Sequence, residues 1–290
     1  MRVVLAIAAN TFREITRQWV FALILILAAA VLTILVPMPL FTLSHETDMF
    51  KDLALSTATL AMVFLVALAA SSTMAEELDS RTAMTVLAKP VGRWQFLVGK
   101  YLGAVAALAL AAAILTAVLF LATYLRVYFD ATATERRVAF TKSQDEQALE
   151  FRSRMMRHAV STLPGSVMMF YQAAALAAAA VVLASRFSRV LAVVVTFGLF
   201  IAGHLAEFIT DAVSHSPDAA RHSVTWAAAL LPLLETFNVT RVLAHSTLTP
   251  GSPEWVAVWS YTGLAGLYAL AYATFVLLVG VVLLRHKEMT

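Results

Sequence analysis

The sequence predicts an all-α polytopic membrane protein with six spans. Three observations carry that reading. Only 13% of the 290 residues are charged and 61% are hydrophobic, against about 25% and 45–50% in soluble domains. Several apolar runs exceed the roughly 18 residues that mark a spanning helix. The polar segments between them are short; Ser185-Arg186-Phe187-Ser188-Arg189 leaves room only for a tight helical hairpin. A soluble core cannot absorb so much uncharged sequence. The formal charge of +3 follows from the lysine and arginine bias of membrane proteins, so no nucleic-acid partner is needed. The absence of cysteine excludes disulfides, thiolate metal sites and cysteine nucleophiles.

Residues 1–18 are too polar to span. At 100° per residue, Asn10, Arg13, Glu14 and Arg17 share one face, and Val4, Ala8, Phe12, Ile15 and Trp19 share the other. This pattern predicts an interfacial helix with its basic side to the headgroups. Span 1, residues 19–36, is too long for a signal-peptide core and precedes no small-residue cleavage site, so it is retained. It stops at Pro37-Met38-Pro39, where helix continuation is penalised. A polar loop at 42–52 leads to span 2 at 53–73, and span 3 covers 98–125.

Residues 126–158 are a hydrophilic insert mixing both signs of charge, helical in its Glu135–His158 part, where Gly and Pro are absent. Its charges read as a solvated outer face, with a partner-docking site as the alternative. Pro164-Gly165 breaks the chain before span 4 at 166–184, and span 5 covers 190–209. The apolar patch Val224–Leu234 is too short to cross, so 224–238 reads as a re-entrant or interfacial pair of helices. Span 6 covers 256–284. An even number of spans places both termini on one side. Arg2, Arg13, Arg17, Arg81, Lys89, Arg93, Arg186, Arg189, Arg285 and Lys287 gather there, which makes that side cytoplasmic.

The segment Glu76–Gly103, EELDSRTAMTVLAKPVGRWQFLVGKYLG, sets three acids and four bases between two apolar runs. Glu77 and Arg81 stand four apart in the favourable acid-first order. Lys89-Pro90-Val91-Gly92 ends that helix, and Arg93 and Trp94 suit the interface at which the chain re-enters the bilayer. Gly99 and Gly103 form a GxxxG pair, a spacing that lets another helix backbone come close. The bland alternative is an ordinary cytoplasmic loop obeying the positive-inside rule.

This run resembles the signature of ABC-2-type permeases, the membrane subunits of type V ABC exporters. The matching positions are Glu76, Glu77, Arg81, Thr82, Leu87, Pro90, Arg93, Gly99, Lys100 and Gly103. The run Asn10-Thr11-Phe12-Arg13-Glu14 is similar to the family's elbow helix, and Leu231-Pro232-x-x-Glu235-x-Phe237-Asn238 to its outer re-entrant helices. The insert at 126–158 departs from the shorter family members. The resemblance implies one permease domain over 1–290, in a bacterial inner membrane with both termini cytoplasmic. It implies a homodimer in membrane lipid and two copies of an ABC ATPase subunit docked on the coupling segment 76–92, through Glu76, Glu77, Arg81, Thr82, Leu87, Lys89, Pro90 and Arg93. An extracytoplasmic accessory protein is a further expected partner. No GxxxxGK(S/T) phosphate loop is present; the chain is therefore not expected to be an enzyme or to bind a cofactor, and ATP and Mg would sit on the ATPase. Arg13, Glu14 and Arg17 fall on the elbow helix.

Other constellations are weaker. His204, Glu207 and Asp211 share one face of span 5. Their spacing could hold a metal or relay a proton, but near the outer end of the span interfacial anchoring or structural pairing explains it as well. Met155-Met156 and Met168-Met169 could attract Cu(I), yet methionine is a routine packing filler, and no metal site is expected. Nothing near Ser161 or Ser166 supports a hydrolase, so no catalytic residue is expected. The functional alternatives are an exporter subunit, a non-translocating anchor or scaffold for an ATPase complex, and a secondary transporter or intramembrane enzyme. The last needs more buried polar groups than these spans offer.

Overall fold

A computed structural model describes residues 2–38, 46–67, 92–131, 146–213, 232–238 and 250–285, and all regular structure among them is helical. Helix α1 (Arg2–Arg17) and helix α2 (Trp19–Leu35) meet at Gln18, whose extended backbone bends the pair by 59°. α1 buries Val4, Thr11 and Ile15 and half-buries Ile7, Ala8 and Phe12. Trp19, expected on that same stripe, is instead 75% exposed, because the bend starts a new helix there and breaks the 100° progression. α2 buries Phe21, Leu25, Ala28 and Leu32 and leaves Leu23, Ile26, Leu27 and Ile34 outward. That is one packed stripe on an otherwise lipid-type surface.

Helix α3 (Glu46–Leu65) begins well before the expected span. Much of the 42–52 stretch read as loop is helix, because Phe50 and Ala54 bury and Asp48 pairs with Lys51 at 3.2 Å within the turn. Helix α4 (Arg93–Asp130) has 38 residues, about 57 Å at 1.5 Å per residue, against a hydrocarbon core of about 30 Å. It carries span 3 and the start of the hydrophilic insert as one rod. At its head the Gly92 N–H donates to Gln95 Oε1 at 3.2 Å.

Helix α5 (Glu146–Val160) and helix α6 (Leu163–Ala184) are separated only by the turn Ser161-Thr162. The break therefore precedes Pro164-Gly165. Pro164 sits in the first turn of α6, where no intrahelical N–H is required. α6 is the most enclosed of the long apolar helices: 78% of its apolar window is buried, against 39% for α4 and 22% for the final helix, α8 (Pro253–Arg285). Its alanine-rich face lets α3, α4, α8 and helix α7 (Arg189–Val213) close around it. A 3-10 turn, Leu234–Phe237, packs against α6 and α7. A Cβ on Gly203 would lie 2.6 Å from the Pro232 carbonyl. The Leu233 N–H donates to the Tyr268 hydroxyl at 2.9 Å, and the Tyr261 hydroxyl to the Thr236 carbonyl at 2.7 Å.

Among the described residues, three helices are long and apolar enough to cross a membrane, or four if the bent α1–α2 pair counts as one span. The apolar part of α7, Val190–Ala206, is shorter. The chain is an all-α integral membrane protein.

Candidate functional site

Most of the coupling segment, with Glu76, Glu77, Arg81, Thr82, Leu87, Lys89 and Pro90, lies outside the described residues. So do residues 132–145 of the insert and 224–231 of the re-entrant stretch. The structure does describe where the coupling segment delivers the chain: the first turns of α4, opened by Arg93.

There α1 lies along α4. A Cβ on Gly99 would meet Ile7 Cβ at 2.8 Å and the Val4 carbonyl oxygen at 3.2 Å. One turn on, a Cβ on Gly103 would meet the Ala8 carbonyl oxygen and Thr11 Cβ at 2.6 Å. The backbone approach that the GxxxG spacing foretold is made by the elbow helix. Between the two glycines, Lys100 is 2% exposed, and its Nζ lies 3.6 Å from Glu14 Oε2 and 5.8 Å from the centre of the Phe96 ring. The neighbouring aromatic face and carboxylate offset part of the cost of burying the ammonium. Of the basic and acidic elbow residues, Glu14 enters this pair while Arg13 and Arg17 face outward. At Gly99 and Gly103 the seam between α1 and α4 leaves no room for a side chain.

The other end of α4 is held by charge. Arg126, 2% exposed, donates from Nη1 to the carbonyls of Val36 and Met38 at 2.8 and 2.6 Å, and its Nη2 lies 3.0 Å from Asp130 Oδ1. Its guanidinium stands 6.0 Å from the centre of the Phe50 ring, and Thr47 donates to Asp130 Oδ2 at 2.5 Å. One side chain thus ties the end of α2 and the start of α3 to α4. α5 folds back here, burying Phe151 and Met155 with Val127. Nearby, Lys51 is fully buried, and that burial lowers its pKa despite the opposing pull of Asp48. Burial, and then the Lys51 charge, pushes His158 down to about 4; its Nδ1 is buried without a hydrogen-bond partner among the described residues. The charges of 126–158 are therefore not all a solvated face. The i,i+4 spacing of Arg126 and Asp130 was the available signal, and the apparent insert boundary at 126 concealed it.

His204 belongs to a third place. Its Nδ1 lies 3.0 Å from the Phe200 carbonyl oxygen and its Nε2 3.5 Å from Gln172 Nε2. Both side chains line a cavity of about 340 Å³ between α3, α6, α7 and the 3-10 turn. Glu207 and Asp211 lie further along α7, where only their backbone is described. No group of three His, Cys, Asp or Glu residues that could hold a metal occurs among the described residues. Met155, Met168 and Met169 are core residues and Met156 is exposed, so the pairs do not form one thioether cluster.

Among curated proteins none matches this chain. A family model described as ABC-2 family transporter protein matches residues 5–289. A bundle of long apolar helices, an amphipathic helix docked on α4, and a family match over nearly the whole length agree: the chain belongs to the ABC-2 family of transporter proteins.

Proposed function

We propose that this chain is the six-span permease subunit of an ABC exporter, paired with a second copy in a bacterial inner membrane and driven by two ATPase subunits that hold ATP and Mg. The ATPases dock on residues 76–92 from the cytoplasm, on the same side as both termini. The observation that carries this reading is the family match over 5–289. The α1–α4 seam supports it physically. Force arriving at Glu76–Pro90 enters α4 at Arg93, and the close contacts at Gly99 and Gly103 pass it to the elbow helix. The permease supplies the lever, and hydrolysis supplies the energy.

The test is ATPase stimulation by the reconstituted permease, with Glu77→Lys and Arg93→Glu as the probes. Both variants are expected to keep the melting temperature and to lose stimulation. Normal co-purification and normal stimulation in both would overturn the docking assignment. ATP turnover indifferent to every candidate substrate would favour a scaffold over an exporter.

A further inference from the structure

The cavity beside His204 has an unusual polar economy. Gln172 is 4% exposed, at the head of an alanine-rich stretch of α6. A buried amide is retained at a cost unless its donors and acceptor are used. The Phe200 carbonyl can only accept, so a hydrogen bond at 3.0 Å requires the proton on His204 Nδ1. In that tautomer Nε2 is an acceptor, and it takes the Gln172 amide N–H at 3.5 Å. The Gln172 carbonyl oxygen is then left as an acceptor on a side chain that lines the cavity, and no described residue donates to it. The Thr59 hydroxyl, also in the lining, is already spent on the Leu55 carbonyl at 2.9 Å.

The rest of the lining fixes the kind of molecule that would complete this set. Phe200, Phe237, Met169 and Leu55 supply apolar wall. No Asp, Glu, Lys or Arg is among the described lining residues, so a charged guest would lose its hydration with no counter-charge to replace it. A volume of about 340 Å³ falls at the small end of ligand pockets, which run from about 300 to 1,000 Å³. The mouth is flanked on α3 by the exposed Ser56 and by Leu60, 47% exposed. The geometry points to a binding site within a single protomer for a small, uncharged amphipathic molecule that carries one O–H or N–H donor on an apolar body and enters beside α3. Gln172 accepts from the donor, His204 holds the amide in that orientation, and Phe200 and Phe237 take the apolar part. This site requires nothing of the ATPase, and none of its described lining residues belongs to 76–92.

The experiment uses the full chain in nanodiscs and a photoreactive alkylphenol. Competitors are hexylphenol, its methyl ether and hexylbenzoate, which share the apolar body and differ in donor and charge. Labelling is expected on the peptides that hold 165–172 and 200–204. Hexylphenol should displace it at about tenfold lower concentration than the ether, one hydrogen bond to a buried group being worth about that factor, and hexylbenzoate should not compete. Gln172→Leu should erase the difference between phenol and ether. Equal competition by phenol and ether in the unaltered protein overturns the proposal, whether or not the variant folds. So does labelling spread over the outward face of α8, which would mean simple partition into lipid.

Discussion

The two ends of α4 are held by opposite physics. At its start, α1 is seated by shape: two glycines admit the backbone of Val4–Thr11 so closely that even a methyl group would collide. At its far end, α2 and α3 are seated by charge: Arg126 bridges two carbonyls, a carboxylate and an aromatic face. A shape-based seam tolerates no added volume but contains few groups that demand partners. A charge-based clasp has room for its side chains, and its loss would strand buried polar atoms. Under the proposed coupling, the first suits a joint that travels as one piece and the second a fixed clamp.

The largest loss is therefore expected at the clasp. Arg126→Met should destabilise the chain by about 3–5 kcal/mol, the range for breaking a buried charge network. Arg126→Lys should recover little, because one ammonium cannot reproduce the forked contacts of a guanidinium. Thermal melting in nanodiscs checks both. A lysine variant that melts like the parent would show that charge alone, without the fork, holds this end.

Glycine replacements at the seam come next. Gly103→Ala should cost about 1–3 kcal/mol, as overpacking does, because its Cβ would press on the Ala8 carbonyl at 2.6 Å. Gly99→Ala should cost less, since its nearest neighbour is the Ile7 side chain and its backbone contact is at 3.2 Å. Gly198→Ala is the control. No described residue lies within 4 Å of that position, so helix propensity should leave the chain unchanged or up to about 1 kcal/mol more stable. Melting curves of the three variants should fall in that order. A Gly103→Ala protein as stable as the parent would remove the rigid seam.

What the sequence revealed follows the same division. Gly99 and Gly103 were legible because close helix approach has a local spacing signature. The stripes of α1 were legible because amphipathicity is local as well. Arg126 was not legible as a clasp, since its worth depends on Val36, Met38 and Phe50, brought near only by the fold. Its charge made it look like the start of a loop, and α4 ran on to Asp130. The same blindness hid Gln172, a single amide in a run of alanines, whose meaning comes from His204 across a helix interface. His204 itself was noticed for its spacing to Glu207 and Asp211, whereas its described partners are Phe200 and Gln172.

Acid tests whether the charged end extends beyond Arg126. His158 sits at about 4 in the folded chain against an ordinary 6.5, pushed down by burial first and then by Lys51, Arg157 and Arg154, with Asp48 opposing. Between those two values the unfolded chain holds a proton that the folded chain refuses. Stability from this group is therefore fully present above pH 6.5, declines as pH falls toward 4, and levels off below. His158→Gln removes the titrating ring. Melting temperature followed from pH 7 to pH 4 should fall more steeply in the parent than in this variant, and the two curves should diverge mainly between pH 6.5 and 4. Parallel curves would mean that His158 is as free to charge in the fold as out of it. The packing of α5 against α4 would then exclude less water than its buried Phe151 and Met155 imply.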